Sequence, residues 1–145
     1  MSKSLAHLNQ SSEFSSASTI AWYDQGDALA NLGDYEAALN CFDNVLEIQP
    51  THHAAWVFRG VVLIHLERYE EALESCENAL KHNPRDSEAF TFRGVALHRL
   101  GRYQEAYESY EKALGVRQQS LRQQLGQSLR KIHKMFTSWQ FRRLS

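Results

Sequence analysis

The stretch AWVFRGVVLIHLERYEEAL, from Ala55 to Leu73, has the apolar spacing of a helix, yet Gly60 stands among its bulkiest residues. A glycine in a helix interior costs about 1 kcal/mol relative to alanine, so a compensating contact is required. The same arrangement returns in AWYDQGDALANLGDYEAAL from Ala21 and in AFTFRGVALHRLGRYQEAY from Ala89. Gly26, Gly60 and Gly94 lie 34 residues apart. The same interval relates Trp22, Trp56 and Phe90, then Leu29, Leu63 and Leu97, then Tyr35, Tyr69 and Tyr103. So many matches at one period mark an internal repeat, and a repeat restricts the fold to units that pack on their neighbours.

Within a unit, the aromatic, the glycine and two leucines stand at positions 4, 8, 11 and 14, which is helical spacing. After a break at Gly33, Glu67 or Gly101 a second helical run begins near the tyrosine. It carries the small Ala38, Ala72 and Ala106, then Phe42, Cys76 and Tyr110. The spacing predicts a helix, a tight turn and a second helix in each unit. The glycine and the alanine are small because two backbones approach there, and the packing gained offsets the propensity cost.

These residues resemble the tetratricopeptide repeat. The shared positions are the aromatics Trp22, Trp56 and Phe90, the three glycines, Ala38, Ala72 and Ala106, Phe42 and Tyr110, Ala79 and Ala113, and the closing Pro50 and Pro84. The resemblance covers residues 19 to 120. It implies an all-α helix-turn-helix array, a right-handed solenoid closed by a C-terminal capping helix. Three departures stand out. Position 7, usually leucine in this family, is Gln25, Arg59 and Arg93; position 24 of the second unit is Cys76; and Gln118 replaces the expected proline of the third unit. The last leaves open whether the third unit's second helix stops or runs on.

The expected organisation is a flexible, serine-rich segment over 1–18, repeats over 19–52, 53–86 and 87–120, and a basic amphipathic helix over 121–145. Ser18 or Thr19 is the expected cap of the first helix. The hydrophobic fraction of 43% suffices for one packed domain. No apolar run reaches the ~18 residues of a membrane span. With no sustained apolar stretch at the start, a cytoplasmic location is expected, and Cys41 and Cys76 are then buried, reduced thiols.

Charge is graded along the chain. Residues 19–52 carry Asp24, Asp27, Asp34, Glu36, Asp43 and Glu47 and no Lys or Arg. From Val116 onward there are Arg117, Arg122, Arg130, Lys131, Lys134, Arg142 and Arg143 and no acid. No phosphate-binding glycine loop, nucleophile elbow, paired CxxC or HExxH occurs, and the seven histidines are not spaced as ligands. No catalytic residue, metal or cofactor is therefore expected, and the repeat itself is the functional element.

The family resemblance implies a concave face lined by first-helix positions: Tyr23, Asp27 and Asn31, then Val57, Val61, Ile64 and His65, then Thr91, Val95 and His98. This wall is acidic at its start, aliphatic in the middle and basic at its far end, where Arg99 stands. Family members that clamp a C-terminal carboxylate use Lys, Asn and Arg at set groove positions. Here Tyr23, Asp27, Val61, Glu88 and Phe92 occupy them, so that clamp is not expected. The expected role is a non-enzymatic adaptor or scaffold whose partner is a peptide or an amphipathic helix of another protein.

In the tail, Leu121, Leu125, Leu129, Ile132, Phe136 and Trp139 recur at three- and four-residue spacing with Lys and Arg on other faces. Capping of the last repeat is its expected role. Its aromatic end exceeds what a cap needs. Weak self-association is a further expectation, with Phe136 and Trp139 in a neighbour's groove and Arg142 and Arg143 facing Asp24 and Asp27. The competing class is an anionic-surface binder, although neither nucleic acid nor membrane is the expected partner.

Overall fold

The computed structural model describes residues 2–143, all in helices and short turns: α1 (Ser2–Asn31), α2 (Tyr35–Ile48), α3 (His53–His65), α4 (Tyr69–His82), α5 (Ser87–Arg99) and α6 (Tyr103–Arg143). Each repeat unit is one helical hairpin, and the three turns within units fall at Gly33, Glu67 and Gly101 with φ of 82°, 60° and 77°. This is the left-handed region, open to glycine and costly for Glu67 by about 1–2 kcal/mol. Between units the chain turns at Pro50 and Pro84, where proline cannot continue a helix. Asp34, His52 and Asp86 then accept backbone N–H groups that open α2, α3 and α5.

The position-8 glycines sit where the hairpins are tightest. A Cβ built on Gly26 would lie 3.0 Å from Phe42 Cε1, on Gly60 2.9 Å from Cys76 Sγ, and on Gly94 2.4 Å from Tyr110 Cε1. The three second-helix residues at position 24 thus fill the space that each glycine vacates. The core continues through Leu63, Leu97, Ala72 and Ala106 into one cluster running across the units. Both cysteines are buried and free. Burial pushes the Cys76 thiol up to about 12, so it packs as a small apolar group without thiolate chemistry.

The position-7 arginines, which depart from the family's leucine, bracket neighbouring units. Arg59 donates from Nη1 to Ser75 Oγ at 2.6 Å and from Nε to Asp43 Oδ1 at 2.7 Å. Arg93 repeats this with Ser109 Oγ at 2.6 Å and Glu77 Oε1 at 3.3 Å. Each guanidinium therefore ties its own unit's second helix to the second helix of the preceding unit, and both serines are fully buried. The first unit has Gln25 and Cys41 at the two positions.

Two expectations at the ends require correction. Residues 1–18 were expected to be flexible up to a cap at Ser18 or Thr19, but α1 is already helical from Ser2. Nothing before Gly26 is a glycine or proline, and the Thr19 hydroxyl bonds back to the Ser15 carbonyl within the helix instead of starting one. The C-terminal capping helix over 121–145 is likewise not a separate element. With Gln118 in place of proline and Gly115 in helical conformation, α6 runs unbroken across residue 120. Among the described residues, α5 is the one other helix it packs on. Arg85 Nη2 donates to Gln119 Oε1 at 2.7 Å, which steadies α6 where it passes the turn before α5. Beyond that point Leu121, Leu125, Leu129, Ile132, Phe136 and Trp139 are all exposed. The apolar face of the tail is thus left uncovered instead of being laid on the last repeat.

Candidate functional site

Curvature follows from which helices meet. Among the described residues, α1 touches α3 and α3 touches α5, whereas α2, α4 and α6 never touch one another. The first helices thus form the inner, closer-packed layer and the second helices splay on the outside, which makes the first-helix face concave.

The floor of that face is Val61, Ile64 and Val95, each half-buried. Thr91, also half-buried, turns its hydroxyl to the Ser87 carbonyl at 2.8 Å and so offers mainly its methyl. Val57 needs correction as a lining residue. It is 2% exposed and packed with Ala79 and Ala89. Those two alanines leave room for it to sink below the surface, so it supports the floor without reaching a partner.

Tyr23 stands at the acidic end, where the first unit meets the second. Its ring meets Phe42 and Phe58 edge-on at 5.9 Å and lies 5.2 Å from the His52 ring. Burial raises the pKa of its hydroxyl, and the negative charges of Asp27, Glu88 and Asp24 raise it further. Acids from the first and third units therefore bear on one phenol. Asp27 is half-buried and Asn31 exposed beside it.

At the opposite edge, His65 stacks on Tyr35 with centroids 4.4 Å apart and planes 4° apart. His98 meets Tyr103 edge-on at 5.1 Å, and the Arg99 guanidinium lies 5.9 Å from the centre of the Tyr69 ring. These side chains form an exposed aromatic and cationic rim. Among the described residues no group of three His, Cys, Asp or Glu could hold a metal, and no helix is long and apolar enough to cross a membrane.

His52 supports the site by capping α3. Its Nδ1 accepts the Ala55 N–H at 3.1 Å, which only the neutral ring can do. Burial holds its pKa below the usual 6.5, and nearby His53 lowers it further. The unfolded chain then takes up this proton first as pH falls, so the stability supplied by the cap is complete above about 6.5 and is lost below it. His52→Asn keeps an acceptor at the cap without titrating. Its melting temperature should fall less than that of the wild type between pH 7 and 5, while His52→Ala should lose about 1 kcal/mol even at pH 7. Equal pH dependence for wild type and His52→Asn would exclude the neutral cap.

The tail residues stand apart from this groove. Phe136 and Trp139 are exposed neighbours with ring centroids 6.2 Å apart, and the Arg143 guanidinium lies 4.7 Å from the Trp139 ring centre. Arg142 is exposed at the same end. None of the four lies on a helix that packs against α1, which carries Asp24 and Asp27.

Comparison with known proteins agrees with this geometry. The family model described as tetratricopeptide repeat matches residues 23–79 and 71–120. The second TPR of Spaghetti (RPAP3), solved bound to the HSP90 peptide SRMEEVD, is 26% identical with a TM-score of 0.68, over 72% of this chain and 98% of that one. The second TPR domain of human RPAP3, solved with the HSP70 peptide SGPTIEEVD, is 26% identical with a TM-score of 0.68, over 70% of this chain and 85% of that one. MamA 41-end from Desulfovibrio magneticus RS-1 is 34% identical with a TM-score of 0.64, over 68% of this chain and 55% of that one. A search of curated proteins found no match.

Proposed function

Because this chain belongs to the tetratricopeptide repeat family, we propose that it is a non-enzymatic interaction module whose concave face binds a peptide or amphipathic helix of another protein. The observation that carries this reading is the half-buried aliphatic floor of Val61, Ile64 and Val95, with an acidic cluster at one end. The floor suits one apolar face of a helix or an extended apolar segment. The acids suit cations at one end of it.

The groove's charge sets its ligand apart from those of the similar structures. The RPAP3 domains were solved with peptides ending in EEVD, which bring several negative charges. Here the negative charges of Asp27, Glu88 and Asp24 all bear on Tyr23, and an acidic peptide would meet like charge there. The ligand class that fits is apolar and basic.

Synthetic amphipathic peptides of one apolar pattern, with either Lys or Glu on their polar face, test this by fluorescence anisotropy. The Lys series should bind, and the Glu series and an EEVD peptide should bind at least about tenfold more weakly. Val61→Glu should weaken the Lys series about tenfold or more while leaving the helical signal intact, since Val61 is only half-buried. Undiminished binding by folded Val61→Glu would remove the concave face from consideration, and preference for EEVD would reverse the charge argument.

A further inference from the structure

The array ends on a face that the other units cover. Position 21 is buried in both earlier units, where Leu39 is 4% and Leu73 8% exposed, and at position 28 Leu46 is 8% exposed and Leu80 half-buried. In those units the next first helix, α3 or α5, packs on α2 or α4. At the same positions in unit three, Tyr107 is 62% and Leu114 57% exposed. Glu111 shows the same incompleteness in charge. Its counterparts Asp43 and Glu77 each receive an arginine from the next first helix, and among the described residues no arginine pairs with Glu111.

The same helix carries a segment suited to that face. Tyr103, Leu114, Leu125 and Phe136 recur at intervals of eleven residues, as do Leu121 and Ile132. Eleven residues make just over three turns, so these side chains lie along one nearly straight line on α6. They are exposed from the array end to the tail. The tail cannot fold onto its own array, because α6 is continuous to Arg143. Residues 117–143 reach about 40 Å beyond, roughly twice the length of a 14-residue second helix.

We propose that the open face of unit three is covered by the tail of a second copy, the two α6 helices lying antiparallel so that each caps the other's array. Charge decides the direction. The array half of α6 holds Glu105, Glu108 and Glu111 against Lys112, whereas the tail half holds seven basic residues and no acid. Antiparallel pairing sets each acidic half beside a basic half and brings cations towards Glu111. Parallel pairing sets the two basic tails against each other. Charge alone directs the tail towards the acidic first unit; the uncovered residues redirect it to the third. The exchange closes on itself, so it yields a dimer and not a chain. It involves no residue of the concave floor, and peptide binding there is independent of it.

Sedimentation of the full chain over a range of concentrations tests this. A dimer is expected at micromolar concentration. Leu125→Glu, Ile132→Glu on the tail and Tyr107→Glu on the array end should each weaken it about tenfold or more, with helicity unchanged because all three positions are exposed. Orientation is read by oxidation, since the native cysteines are buried. A mixture of Tyr107→Cys and Phe136→Cys chains should give the mixed disulfide, and Phe136→Cys alone should give none. A protein that stays monomeric at high concentration overturns the proposal. So does a dimer indifferent to the tail and array-end variants, or one that links Phe136→Cys to itself. A monomer that pellets with phosphatidylserine vesicles through its tail overturns it too, in favour of an anionic surface.

Discussion

Replacing Gly94 by alanine should destabilise the protein by about 2 kcal/mol, although alanine is the better helix former by about 1 kcal/mol. The added Cβ would lie 2.4 Å from Tyr110 Cε1 and 2.7 Å from its Cδ1. No carbon pair tolerates that distance. Either the ring swings out and gives up its packing against the core, or α5 and α6 separate, and overpacking of this kind costs about 1–3 kcal/mol or more. The three equivalent glycines should rank by their contacts. Gly26→Ala meets Phe42 at 3.0 Å and Cys41 Cβ at 3.1 Å, and should lie closest to neutral. Gly60→Ala meets a single sulfur at 2.9 Å and should fall between the two. Gly115, also helical, has nothing within 4 Å of its added carbon, so Gly115→Ala should stabilise by up to about 1 kcal/mol. The same substitution therefore changes sign within one helical array. Urea unfolding of the four variants measures the order. Tyr110→Leu, which removes the offending ring edge, should recover part of the Gly94→Ala loss. If Gly94→Ala proves as stable as the wild type, the close approach of α5 and α6 is not what the glycine serves.

That contact shows why so much of the array is legible in the sequence. A period of 34 residues marks Gly26, Gly60 and Gly94 as places of close helix approach, and the structure adds that Phe42, Cys76 and Tyr110 fill them. The period also carries the hairpin turns, because Gly33 and Gly101 mark the left-handed position that Glu67 occupies under strain. The groove is less legible. A pattern of positions tells which way a side chain points, not how far it sinks. Val57 shares its register with Tyr23 and Thr91, yet it alone drops below the surface, because Ala79 and Ala89 make room beneath it.

The tail is the least legible part. Its apolar spacing shows that one face of the helix needs a cover, but spacing says nothing of whether the chain reverses first. Reversal needs a breaker, and neither Gly115 nor Gln118 acts as one. A cap and a continuous projecting helix therefore share one sequence pattern. They differ in where the chain turns.

The position-7 arginines were hidden for a different reason. Each reads in isolation as a departure from leucine, and its meaning lies in a second position sixteen residues on, where Ser75 and Ser109 stand in the arginine units and Cys41 in the glutamine unit. Arg93→Leu accordingly tests the structure against the family pattern. By pattern, leucine is the ordinary residue and should be tolerated. By structure, the change leaves the fully buried Ser109 hydroxyl without its 2.6 Å partner and strips Glu77 of its cation. Loss of a hydrogen bond to a charged group costs about 1.5–3 kcal/mol, and that is the expected destabilisation. Arg93→Lys should recover little, since a single ammonium cannot span acceptors on α6 and α4 as the planar fork does. Ser109→Ala alone should also cost stability, because it removes the acceptor of a largely buried guanidinium. Combined with Arg93→Leu it removes both partners at once, and the double variant should be more stable than the sum of the single losses by about 1 kcal/mol or more. Because the fork joins three helices of two units, the single variants should also broaden the urea transition by uncoupling unit three from unit two. Strictly additive losses, or an Arg93→Leu protein as stable as the wild type, would reduce the bracket to an incidental surface pairing.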